Sequence, residues 1–192
     1  MAASMTAAWL SRLAGAAALW FLLTAQGNEL PPPAYQLAAY SAGIPSEVLY
    51  SVALQESGTY LRGRKRILVP WPWTLNVAGA GYRFATRDDA CRALLIAVAT
   101  VGPKKVDSGL GQVNIGWNGQ RFSEPCESLN PYTNLRVASQ LLAEHYAATG
   151  DWIAAAGRYH HPAGGPAAAR YRKLFAEHLS RVTGITQLAG NP

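Results

Sequence analysis

The chain has 192 residues, 49% of them hydrophobic and only 15% charged, which excludes a disordered protein and leaves room for one ordinary domain. A core of that size folds without a metal or disulfide staple. Seventeen basic and eleven acidic residues give a formal charge of +6, an excess that suits an anionic partner without choosing among nucleic acid, membrane and wall polymer.

The first 27 residues hold no acid and one base, Arg12, and Leu13 to Leu23 is an apolar run of 11 residues. A membrane span needs about 20, whereas a run this short matches the core of a secretory signal peptide. Small residues follow it in Leu23-Thr24-Ala25 and in Ala25-Gln26-Gly27, each a possible cut. Residues 1–27 therefore read as a signal peptide and the mature protein as periplasmic, with an uncleaved N-terminal anchor as the other reading. Export would place Cys91 and Cys126 where disulfides persist, so one bridge and two buried thiols both stand open. There is no CxxC and no HExxH, so no metal and no cofactor is expected.

Residues 28–34, with Pro31-Pro32-Pro33, read as a linker, and 35–192 as the domain. Ala34 to Ala42 predicts a short helix stopped by Gly43. Pro45-Ser46-Glu47 starts a second, with Val48, Leu49, Val52 and Ala53 on one stripe, Glu56 one turn further, and Gly58 at its end. Arg62 to Arg66 is a basic cluster. Ile67 to Val77 and Tyr82 to Phe84 predict an irregular hairpin around Gly79-Ala80-Gly81, because prolines at 70 and 72 rule out a central strand. Thr86 to Asp89 is a capping-box start for a helix running to about Thr100. Lys104 to Phe122 is glycine-rich and reads as a loop. Asn130-Pro131 starts a helix carrying Leu135, Ala138, Leu142 and Tyr146, Asp151 starts another, and Ala167 to Val182 is the last. The expectation is a mainly α single domain with one small β-hairpin.

Glu56 is the candidate for chemistry. Its stripe-mates put the carboxyl on an apolar helix face, and desolvation there raises its pKa. A carboxylic acid that keeps its proton near neutral pH can protonate a glycosidic oxygen. A helix-end Glu turned to solvent is the plain alternative. Three further segments bear on the choice: Glu56-Ser57, Gly109-Leu110-Gly111-Gln112-Val113-Asn114, and Ala155-Ala156-Gly157-Arg158-Tyr159-His160.

In order and spacing these segments resemble the lytic transglycosylase (SLT) domain of the lysozyme-like superfamily, whose pattern is Glu-Ser, Gly-Leu-Met-Gln and Ala-x-x-x-Tyr-Asn. Asn130-Pro131-Tyr132-Thr133-Asn134 is also similar, and Trp71-Pro72-Trp73-Thr74-Leu75-Asn76 resembles members tied to conjugation and secretion machines. The resemblance covers roughly Tyr35 to Leu179. It implies a lysozyme-like fold with Glu56 as the sole catalytic acid and base. Ser57 would support Glu56 and the sugar's N-acetyl group, Gln112 would contact the saccharide, and Tyr159 would hydrogen-bond to the catalytic carboxyl. Two positions depart from the pattern. Gly111 stands where Met is usual, which would widen the cleft or loosen the loop, and His160 stands where Asn is usual, so that an amide contact to the substrate becomes an imidazole one.

Asn114, Trp73 and Asn76 complete the expected substrate contacts, with Trp117 and Tyr82 as further aromatics suited to sugar faces and Trp71 assigned to packing. Asp107, the only other acid near a motif, reads as a turn residue. His145 and His178 read as helix-surface residues. The expected partner is a peptidoglycan glycan strand, with components of a conjugation or secretion machine beside it, no nucleic acid, and a monomeric chain. The expected reaction cuts the MurNAc–GlcNAc β-1,4 bond and gives 1,6-anhydro-muramyl ends. Two other readings remain: a goose-type-lysozyme-like hydrolase of the same bond, and a non-catalytic wall-binding scaffold.

Overall fold

The computed structural model describes residues 29–61, 63 and 66–185. The signal-peptide reading of 1–27 lies outside them, as do Arg62, Arg64 and Lys65 of the basic cluster. Among the described residues the fold is mainly α, with seven helices and two small antiparallel sheets. No helix among them is long and apolar enough to cross a membrane.

Helix α1 (Pro33–Ala42) begins inside the expected linker, since proline at a first helical position loses no hydrogen bond. Just before it, Glu29 accepts from the Tyr50 hydroxyl at 2.8 Å and from Arg181 at 2.5 Å, so the described part of the expected linker, 29–34, is tied to the domain. Helix α2 (Ser46–Ser57) buries Val48, Leu49, Val52 and Ala53 as its stripe requires. It does not end in a left-handed glycine cap. Gly58 has φ −54° and ψ 135°, and the chain passes straight into β1 (Gly58–Leu61). A Cβ at Gly58 would lie 2.2 Å from the Leu54 carbonyl oxygen, so only glycine makes this joint. Glu56 and Ser57 therefore sit at a junction with no slack loop.

The expected hairpin is two structures. β2 (Ile67–Pro70) folds back on β1, while β3 (Thr74–Val77) pairs with β4 (Ala80–Arg83). Pro70 and Pro72 lack the N–H that one continuous strand would need, and they divide the segment. Lys104 to Phe122 is not a loop either. It holds β5 (Val106–Ser108), β6 (Val113–Asn114) and α4 (Ile115–Asn118), and the second sheet runs β4-β3-β5-β6. Asn76 pairs with Asp107, and Asp107 with Asn114. Residues directly opposed across antiparallel strands share a face, so these three side chains form one polar row. Leu75, Val106 and Val113 alternate onto the other face and are buried.

Helix α3 (Arg87–Val101) is capped by Thr86, which accepts from the Asp89 amide. It packs Ala90 and Leu94 against Leu75, Val106 and Leu129, making a small core under the sheet. Helices α5 (Pro131–Thr149), α6 (Trp152–His160) and α7 (Gly165–Thr183) join α1 and α2 around the larger core of Leu49, Val52, Leu135, Leu142 and Phe175. Asn130 and Asp151 cap α5 and α6 as their sequences predict. Cys91 of α3 and Cys126 are bridged across a sequence separation of 35, which settles the choice between bridge and free thiols. A crosslink closing a loop of that length contributes about 4 kcal/mol in the chain-entropy view.

Candidate active site

A cleft of about 760 Å³ runs between the polar row of the sheet and helices α5 and α6, and Glu56 opens into it. The Glu56 side chain is 13% exposed. Burial pushes its carboxyl up to about 8, and the negative charge of Asp107 adds to the rise. No Lys or Arg among the described residues pairs with it. Its nearest basic group is His160, whose Nδ1 lies 3.9 Å from Oε1. Burial holds the His160 pKa down, so that imidazole is neutral near pH 7 and supplies no compensating charge. The result is a carboxylic acid that keeps its proton at neutral pH.

Asp107 is not a turn residue. It sits in the middle of β5 within the cleft, half-buried, and accepts from Asn114 Nδ2 at 2.7 Å. Burial raises its pKa, against the Asn114 bond, which lowers it. A three-residue strand is too short to show alternation, so its sequence alone reads as loop.

The tyrosine assignment also changes. The Tyr159 hydroxyl donates to the Gly111 carbonyl at 2.6 Å, not to Glu56. Tyr171 of α7 faces the carboxyl instead. Its buried hydroxyl has no hydrogen-bond partner of standard geometry among the described residues, yet it favours the ionised carboxylate, the one influence lowering the Glu56 pKa. His160 stacks on Tyr171 with ring centroids 4.5 Å apart. Tyr171 reads in sequence only as an apolar position of the last helix. Tyr171→Phe should raise the Glu56 pKa further and move the alkaline limb of any Glu56-dependent activity to higher pH. A limb that stays in place would show that the hydroxyl does not influence the acid.

Other expected contacts separate into two groups. Gln112 lines the cleft. Its Nε2 donates to the Gly109 and Thr74 carbonyls at 2.8 and 3.0 Å, which leaves Oε1 for a ligand. Asn76 lines it too, with Oδ1 taken by the Gly79 amide and its own amide hydrogens unpartnered among the described residues. Ser57, in contrast, is fully buried. Its Oγ lies 2.8 Å from the Leu110 carbonyl and 3.0 Å from that of Ala53, so it braces the loop and cannot reach a sugar. Asn114 faces the cleft with its amide spent. Its Nδ2 serves Asp107 and the Lys104 carbonyl, while Oδ1 caps α4. Trp73 packs on the small core and against Trp71, away from the cleft. Trp71 bonds the Phe84 carbonyl through Nε1 at 2.7 Å, a packing role.

The sequence reading missed His145 and His161, which also line the cleft. The His145 pKa is lowered by burial. No group of three or more His, Cys, Asp or Glu suited to a metal occurs among the described residues. No protein-family model, curated protein or solved structure matches this chain. The chemistry of the site rests on its own geometry: one protonated acid and one half-buried carboxyl in a cleft of about 760 Å³.

Proposed function

We propose that this protein is an exported peptidoglycan lytic transglycosylase that opens the cell wall for a conjugation or secretion apparatus, with Glu56 as its acid and base. The observation that carries the reading is the Glu56 carboxyl, held protonated near neutral pH at the wall of the cleft. Glu56 donates its proton to the glycosidic oxygen as the bond to the muramyl C1 breaks. The sugar's N-acetyl oxygen bonds to C1 from the opposite face as the leaving oxygen departs. The 6-hydroxyl of the same sugar then attacks C1 from the vacated face, displaces the acyl oxygen and returns its proton to Glu56. No water is consumed, and the acid ends as it began. The order of motifs supports the substrate, and the apolar run at 13–23 supports export.

One observation favours a second reading. Asp107 stands in the cleft within electrostatic reach of Glu56. A hydrolase needs such a carboxylate, as nucleophile about 5–5.5 Å from the acid or as water-activating base about 6.5–9.5 Å away. Its bond from Asn114 and its place in the polar row also give Asp107 a structural task, so transglycosylation remains the preferred path.

Mass analysis of fragments released from purified sacculi tests both. Anhydro-muramyl ends, one water lighter than hydrolytic products, are expected. Asp107→Asn should retain most activity and keep those products. Loss of the neighbouring charge should also lower the Glu56 pKa and move the alkaline limb to lower pH, opposite to Tyr171→Phe. Reducing muramyl ends together with an inactive Asp107→Asn variant would establish the hydrolase instead.

A further inference from the structure

Trp117 is 63% exposed and lines the cleft. The backbone that carries this exposed indole is held in place. The Trp117 amide donates to Asn114 Oδ1 at 3.1 Å, and the same Asn114 holds the Lys104 carbonyl through Nδ2 at 3.0 Å. Gly116 lets Lys104 lie against α4, because a Cβ there would meet the Lys104 backbone nitrogen at 2.5 Å. The Lys104 ammonium then sits 4.0 Å from the centroid of the Trp117 ring. Asn114 and Gly116 thus build the pair from the backbone outward.

The charge at this rim is also unusual. Arg121, which lines the cleft, is bound through both terminal nitrogens to Glu144 at 2.9 Å. Lys104 pairs with no carboxylate among the described residues. With one face of the exposed indole capped by Lys104, the opposite face is the one that suits the apolar face of a pyranose. The ammonium covers the other face and pairs with no carboxylate among the described residues, so it suits an anion that the same sugar carries past the edge of the ring.

We propose that Trp117 and Lys104 form a rim subsite for a carboxylate-bearing sugar, with the pyranose on the indole face opposite Lys104 and the carboxylate reaching past the ring edge to the ammonium. The subsite deepens the saccharide-cleaving reading and rests on it. In a strand where acidic and neutral sugars alternate, reading the carboxylate fixes which bond lies at Glu56. The carboxylate has two sources, the lactyl acid of a bare strand or the acids of an attached peptide.

The test uses the chain carrying Glu56→Gln, so that ligand is not consumed, and calorimetric titration with neutral chitohexaose, peptide-free glycan strands and peptide-bearing strands. Adding Trp117→Ala should weaken all three by about tenfold, the loss of roughly 1.4 kcal/mol. Adding Lys104→Met should weaken a carboxylated strand about tenfold more than chitohexaose and flatten the salt dependence of its binding. Whether the bare or the peptide-bearing strand loses more identifies which carboxylate is read. Unchanged binding in Trp117→Ala overturns the platform, and an equal effect of Lys104→Met on neutral and acidic ligands overturns carboxylate recognition. Sacculus cleavage by the chain with Glu56 intact separates the two levels. Cleavage with an indifferent Trp117→Ala variant removes the subsite alone, and strand binding that depends on Trp117 without cleavage removes the proposed reaction alone.

Discussion

Glu56→Gln should stop cell-wall cleavage and at the same time make the protein more stable above pH 8. The amide keeps the shape of the side chain and removes the proton that the leaving oxygen needs. Loss of a general acid typically costs about 10²–10⁴ in rate. The stability gain comes from the same burial. The unfolded carboxyl titrates near 4.5, and the folded one is pushed up to about 8. Below pH 4.5 both states hold the proton and the native side chain carries no penalty. Between pH 4.5 and 8 the unfolded state releases it and the folded state does not, so native stability falls as pH rises. Above pH 8 the full cost of the buried charge is present, on the order of 5 kcal/mol. Gln carries no such cost, so the gap between variant and native protein should widen across that window and then level off. Zymography on purified wall measures the first effect, and thermal melts at pH 4, 6 and 9 measure the second. A cleaving variant removes Glu56 as the acid, and a pH-independent gap shows that Glu56 is not the desolvated group.

How much of this was legible in sequence follows from the length of each signal. Helices α5 and α7 repeat their apolar positions over several turns, and caps such as Asn130 and Asp151 act within three residues, so both were readable. The placement of Glu56 was readable for the same reason, being one turn beyond Val52 on a buried stripe. The sheet was not. β5 and β6 are three and two residues long. β5 pairs with β3, some thirty residues earlier in the chain, and β6 pairs only with β5. Asp107 was therefore misread as a turn, and the row it forms with Asn76 and Asn114 was invisible. Roles within the site were readable only as residue types. That Ser57 braces Leu110, that Asn114 is spent on caps, and that Tyr171 in place of Tyr159 faces the acid all depend on which polar partners the fold delivers. A buried polar group takes the partner within reach.

The loop that carries Gln112 gives the largest expected structural effect. Gly111, expected to loosen this loop, does the opposite. Its amide donates to Asn134 Oδ1 at 2.8 Å and its carbonyl accepts from the Tyr159 hydroxyl at 2.6 Å. A Cβ at this position would lie 2.7 Å from the Ala138 Cβ and 2.9 Å from that hydroxyl. The neighbours are equally committed. Gly109 has φ +79° and no room for a side chain beside Asn134, Leu110 is held by Ser57, and Gln112 itself is left-handed at φ 46°. The loop cannot shift to relieve a clash without breaking several buried bonds. Overpacking such a site costs about 1–3 kcal/mol, and a lost Tyr159 bond adds about 1 kcal/mol. Gly111→Ala should therefore lower stability by about 2–4 kcal/mol, and Gly111→Met, which restores the side chain of the resembling pattern, should cost at least as much. Ala138→Gly removes the closest atom. Combined with Gly111→Ala it should recover part of the loss, less the roughly 1 kcal/mol that glycine costs inside α5. Denaturant melts of the four chains close this cycle. A Gly111→Ala protein that melts with the parent would mean that the loop has slack, and that the position of Gln112 in the cleft is not fixed by the contacts beneath it.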